Sequence, residues 1–93
     1  MTKPAEEQIL TDHGRDTRSV PLSTIEPGAS VRVVDVDASG RVGRRLQEMG
    51  IIPGVEIRVV KTAPFGDPFE LRVLGYKLAI RRSEAAHVLV MPV

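Results

Sequence analysis

Two histidines, a scatter of serines and two groups of arginines are the residues of this 93-residue chain whose types could do chemistry. Nucleophilic catalysis needs a base beside the nucleophile and a third group to orient it. The only bases of that kind are His13, near the N-terminus, and His87, at the start of the last strand pattern. No strained GxSxG-type turn surrounds Ser19, Ser23, Ser30, Ser39 or Ser83. There is no cysteine, which removes thiolate nucleophiles, disulfides, iron–sulfur ligation and thiolate metal sites. Ferrous iron takes imidazole and carboxylate ligands. His13, His87, Asp35 and Asp37 are the suggestive groups, but no His-x-x-x-His spacing or carboxylate cluster joins them. Asp35 and Asp37 read as strand-end and turn residues, and His87 as a half-buried strand residue. The residues therefore assign no catalytic set, no metal ligands and no cofactor.

Anion binding is the next chemistry to weigh. Gly40-Arg41-Val42-Gly43-Arg44 sets glycines and arginines at a helix start, where backbone N–H groups attract anions. The Lys-Ser/Thr ending of a phosphate-binding loop is missing. Gly40 then reads as the turn that opens the helix, and Gly43 as a close-packing residue. Arg41, Arg44 and Arg45, with Arg81 and Arg82, form basic groups, yet Glu48 and Glu84 sit among them. The net charge is +1 and aromatics are 3% of the chain: Phe65, Phe69 and Tyr76. Neither a basic excess nor stacking platforms for bases are present, which argues against nucleic acid. The arginines read either as a solvated helix face, with Arg44 and Glu48 paired at i, i+4, or as guanidinium donors to a partner's carboxylates. Phe65 lies in a Pro/Gly loop, where an aromatic is either an exposed interface anchor or a lid folded back on the core.

The elements that must position these residues are short. Residues 1–20 are polar and without period, with three cations against four acids, and read as a flexible tail. Residues 21–93 read as one small domain. Val31–Val36 is a strand that alternates only in part. Arg41–Met49 is a helix with Val42, Leu46 and Met49 on one face and Gly50 at its left-handed C-terminal position. Val55–Lys61 and Phe69–Leu74 alternate cleanly, Lys77–Arg81 continues after a reversal at Gly75-Tyr76, and His87–Met91 is the last strand. Ser83–Ala86 is a helical turn that Ser83 could cap. Gly50, Pro53, Gly54, Gly66, Pro68 and Gly75 sit at chain reversals and are assigned to architecture. About five short strands with one helix after the first, joined by Gly/Pro turns, predict a mainly β, small SH3-like barrel. The N-terminus lacks the apolar run of a signal peptide, and no stretch reaches the length of a membrane helix. The expected location is the cytoplasm.

Arg44-Arg45-Leu46-Gln47-Glu48-Met49-Gly50-Ile51-Ile52-Pro53-Gly54 resembles the signature of the FeoA family, a basic helix ending in Leu-x-x-Met/Leu-Gly, a hydrophobic pair and Pro-Gly. Ala63–Pro68 is similar to that family's loop between its second and third strands, and Leu71–Arg82 to its strand–Gly–strand followed by a basic residue. The opening Pro21–Gly28 fits as well, so the resemblance runs from Pro21 to Val93. It implies an SH3-like barrel and a non-catalytic role beside FeoB, the membrane ferrous-iron transporter with a cytoplasmic GTPase domain. The surface expected to dock is Phe65 and its loop with Arg44, Arg45 and Arg81. The alternative is a metal-responsive sensor, with iron near His87 and the acidic strand end; a small nucleic-acid-binding barrel ranks below it.

Overall fold

The computed structural model describes residues 19–93, the side chain of Phe65 excepted. Residues 1–18 of the expected tail, His13 among them, lie outside the described residues. Six antiparallel strands form one sheet in the order β1-β6-β2-β3-β4-β5. They are β1 (Val20–Pro21), β2 (Ser30–Val36), β3 (Glu56–Thr62), β4 (Phe69–Val73), β5 (Tyr76–Ile80) and β6 (Val88–Pro92). Helix α1 (Arg41–Glu48) lies between β2 and β3, and the single turn α2 (Arg82–Ala85) between β5 and β6. Short 3-10 turns cover Leu22–Thr24 and Pro64–Gly66.

The sixth strand is the addition to the sequence reading. β1 is two residues long, with Val20 opposite Val90 and Pro21 opposite Leu89. A pattern of period two needs more residues than that to be visible.

The incomplete alternation of β2 has a physical cause. Val31 and Val33 are buried, but the next buried residue is Val36 rather than Asp35. The register against β6 slips between Val33 and Asp35, so Val34 is an inserted bulge residue. β3 does the same: its register against β4 slips between Val59 and Lys61. Each bulge falls at a Val-Val pair. A bulge bends its strand and raises its twist, which is how a short sheet curls around a core. That core is wholly apolar. Leu46, Ile51, Ile57, Phe69, Leu71 and Val90 are fully buried, and no polar or charged side chain among the described residues is buried with them.

Helix α1 is placed by Gly43 within it and Gly50 just past its end. Gly43 is buried against the end of β2, and a Cβ there would come within 1.8 Å of the Asp37 carbonyl oxygen. No larger residue fits that approach. At the other end Gly50 has φ +99°, the left-handed region where glycine is at ease. Its N–H donates to Gln47 and the Ile51 N–H to Leu46, each at 3.0 Å. This is a Schellman ending, with fully buried Leu46 and Ile51 as its hydrophobic contact. The β4–β5 hairpin turns through Leu74 (φ 51°) and Gly75 (φ 87°), the two positive φ values of a type I′ turn. Tyr76 belongs to β5 and not to the reversal.

Candidate docking surface

The corner between α1 and α2 gathers the expected arginines around Glu84. Arg45 Nη1 lies 2.6 Å from Glu84 Oε2, and the Arg81 N–H donates to Glu84 Oε1 at 2.8 Å. The backbone donor at Arg81 is the main cause that holds the Glu84 carboxyl below its ordinary pKa; partial burial opposes it, and Arg45 adds to it. The same bond caps α2. Ser83 is inside the turn, and it is the Glu84 carboxylate that supplies the cap at Arg81. The expected Arg44–Glu48 pair does not form: among the described residues Arg44 has no ion-pair partner, and Arg45 reaches across to α2 instead.

The loop that carries Phe65 is fastened beside this corner. Phe65 lies in the Pro64–Gly66 turn, and its side chain is outside the described set. Gly66 N–H donates to Ala63 at 2.8 Å and Ala63 N–H to Pro68 at 3.1 Å, while Asp67-Pro68 is a cis peptide. Asp67, Pro68 and Arg81 line a surface depression of about 280 Å3. The residue that holds the loop is Arg82. Its N–H donates to Asp67 Oδ1 at 2.8 Å, and its guanidinium donates to the Ser23 carbonyl at 2.6 Å. The guanidinium also lies over the Phe69 ring, 4.8 Å from the centroid. In sequence Arg81 and Arg82 are an undivided basic pair. In the fold Arg81 points to solvent and Arg82 ties α2, the loop and the Leu22–Thr24 turn together. Strand phase is the available signal: Ile80 is buried at the end of β5, so Arg81, the next residue, falls on the outward side.

The acidic strand end is differently organised. Asp35 accepts from the Val36 N–H at 2.9 Å. Asp37 accepts from the Ser39 hydroxyl at 2.7 Å and the Ser39 N–H at 3.1 Å, and these bonds keep its carboxyl below the usual range. His87 Nδ1 stands 3.9 Å from Asp37 Oδ2. His87 precedes β6 rather than starting it. Two side chains meet here, and no group of three or more His, Cys, Asp or Glu able to hold a metal exists among the described residues.

A third feature is apolar. Ile52, Leu74 and Tyr76 are exposed, Leu74 by 66%. The Tyr76 hydroxyl donates to the Met49 carbonyl at the end of α1, and both Tyr76 and Leu74 cover Gly50. The hairpin tip is thereby clamped onto the helix end.

A family model described as the FeoA domain matches residues 20–92. The chain belongs to the FeoA family. An FeoA-like protein from Clostridium acetobutylicum, solved by NMR, superposes on it with a TM-score of 0.78 and 37% identity, over 82% of this chain and 88% of that one. The zinc complex of FeoA from Stenotrophomonas maltophilia, described as a prokaryotic SH3-domain protein, gives a TM-score of 0.66 and 36% identity over 74% and 86% of the two chains. The sheet is accordingly an SH3-like FeoA barrel. A third FeoA relative is a fusion: the Fe(2+) transport protein A/Fe(2+) transporter FeoB fusion protein of Porphyromonas gingivalis. It is 36% identical over 67 residues, 72% of this chain. The match spans 8% of the fusion's length. No helix among the described residues of this FeoA chain is long and apolar enough to cross a membrane.

Proposed function

We propose that this chain is a non-catalytic, cytoplasmic accessory protein of ferrous-iron uptake that binds a FeoB-type transporter on its GTPase side and regulates it. The observation that carries this reading is the Porphyromonas fusion, in which a domain similar to this one is covalently part of a transporter chain. A domain of this family that is not fused to the transporter would reach by affinity what the fusion has by linkage.

The docking surface of this reading is the α1–α2 corner with the loop beside it: Arg44, Arg45, Arg81 and Phe65. Arg44 and Arg81 have no ion-pair partner among the described residues, so their guanidinium forks are available to a carboxylate. Binding would act on the transporter by preferring one of its nucleotide-dependent shapes, because a ligand shifts an equilibrium only through differential affinity. The test is binding of the full chain to the full-length transporter of the same organism in nanodiscs, with GTP hydrolysis measured alongside. Binding weakened tenfold or more by Arg44→Ala/Arg81→Ala, with a changed hydrolysis rate in the wild-type complex, is the expected result. A wild-type chain that does not bind the nanodisc-held transporter in either nucleotide state refutes the reading.

A further inference from the structure

The outward face of β3, β4 and β5 carries a charge arrangement that the fold itself does not use. Ile57, Val59, Leu71, Val73 and Ile80 point into the core, so Arg58, Arg72 and Lys77 point out. The register sets Arg58 directly opposite Arg72, and Arg72 directly opposite Lys77. Three cations thus stand side by side on three adjacent strands. Like charges opposite one another destabilise a sheet.

The rows on either side are arranged the other way. Arg32 faces Glu56 across β2 and β3. Lys61 faces Glu70 across β3 and β4. Glu70 lies 3.8 Å from Lys61 and 3.9 Å from Lys77, so one carboxylate is shared by two lysines. Arg58 and Arg72 have no carboxylate within ion-pair distance among the described residues. The sheet alternates signs where the fold decides the residues and departs from that rule in one row.

We propose that the outward face of β3–β5, centred on Arg58 and Arg72, is a second docking surface that takes an acidic stretch of the transporter protein. The proposal rests on the accessory reading above and adds a contact distinct from the α1–α2 corner. Its chemistry argues for protein carboxylates. The two central residues are arginines, whose planar forks take carboxylates in pairs. Neighbouring strands lie about 4.8 Å apart. Carboxylates at i, i+3 or i+4 on a helix, about 5–6 Å apart, match that spacing. A membrane surface recruits by clusters of about four to eight cations, and nucleic acid by about six to ten phosphate contacts. A row of three, one of them already near Glu70, falls short of both.

The decisive variant is Arg72→Glu. It sets a carboxylate between Arg58 and Lys77, so the sheet keeps or gains stability while the row loses its sign. Affinity of the full chain for the nanodisc-held transporter is measured at 50 and 300 mM NaCl, beside Arg44→Ala/Arg81→Ala. Arg72→Glu is expected to bind at least tenfold more weakly at low salt and to lose most of the salt dependence, with an unchanged or higher melting temperature. Arg72→Lys, which keeps the charge and drops the fork, should fall between. Binding of Arg72→Glu within twofold of wild type overturns this surface and leaves the accessory reading standing. If wild type ignores the transporter but binds transporter-free vesicles containing anionic lipid, the surface is a lipid contact and both readings are overturned. Wild type that binds neither overturns both as well.

Discussion

The corner between α1 and α2 and the outward face of β3–β5 are both rich in arginine, and they treat it in opposite ways. At the corner, Arg45 is held by Glu84, and Arg82 by a carbonyl, a carboxylate and an aromatic ring. On the sheet face, Arg58 and Arg72 confront each other with no acid between them. Arg45 and Arg82 therefore add to stability, and the facing Arg58 and Arg72 subtract from it. The difference teaches that a run of arginines in sequence is not one feature. The side chains that complete the fold and those kept for something outside it are separated only by their partners.

Substitutions sharpen that contrast. The largest effect is expected where the corner is anchored to the sheet. Gly43→Ala drives a Cβ into the Asp37 carbonyl, a backbone group that cannot rotate aside, so α1 or the end of β2 must move. The expected loss is about 3 kcal/mol or more, read as a lowered thermal midpoint, although alanine favours a helix. A midpoint equal to wild type would mean the two elements do not touch as described.

Arg82→Ala comes next. It removes the bond to the Ser23 carbonyl and the stacking on Phe69, and leaves the backbone bond to Asp67 in place. A loss of about 2 kcal/mol in urea unfolding is expected. Arg81→Ala, one residue away, should lie within about 0.5 kcal/mol of wild type. Equal losses for the pair would erase the distinction between staple and surface.

Glu84→Gln should cost about 1–2 kcal/mol at neutral pH, because it weakens the α2 cap and the Arg45 pair together. Glu84 titrates lower in the folded chain than in the unfolded one. Its stabilisation is complete above the ordinary glutamate pKa of about 4.3 and disappears as pH falls through the lower folded value. The gap between wild type and Glu84→Gln should close on acidification from pH 5 downward; a gap that stays constant would contradict this role for the carboxylate.

The smallest effect has the opposite sign. Arg72→Glu should raise stability by up to about 0.5 kcal/mol at low salt, and the gain should fade as salt screens it. A loss of stability would show that the row does not cost the sheet anything.

Much of this could be read from the chain. Val42, Leu46 and Met49 announced the helix face, and Gly50 its ending. The clean alternation of β3 and β4 placed the core residues correctly. Gly43 as a close-packing residue was legible too, because a glycine inside a helix weakens it unless something approaches. What stayed hidden has physical reasons. The bulges break period two at Val34 and Val60, where a valine looks at home on either side of the slip. The Arg45–Glu84 pair joins residues 39 apart in sequence, so local spacing favoured Glu48. The cation row spans three strands, and only the register brings Arg58, Arg72 and Lys77 abreast.

The clamp between the hairpin tip and the end of α1 has an optical consequence. Tyr76 is the chain's single tyrosine, and there is no tryptophan. All tyrosine emission, and most of the near-ultraviolet circular dichroism, therefore originates where its hydroxyl meets the Met49 carbonyl. An unlabelled sample reports on that one junction, and a partner that loosens the hairpin from the helix announces itself in the light the protein already emits.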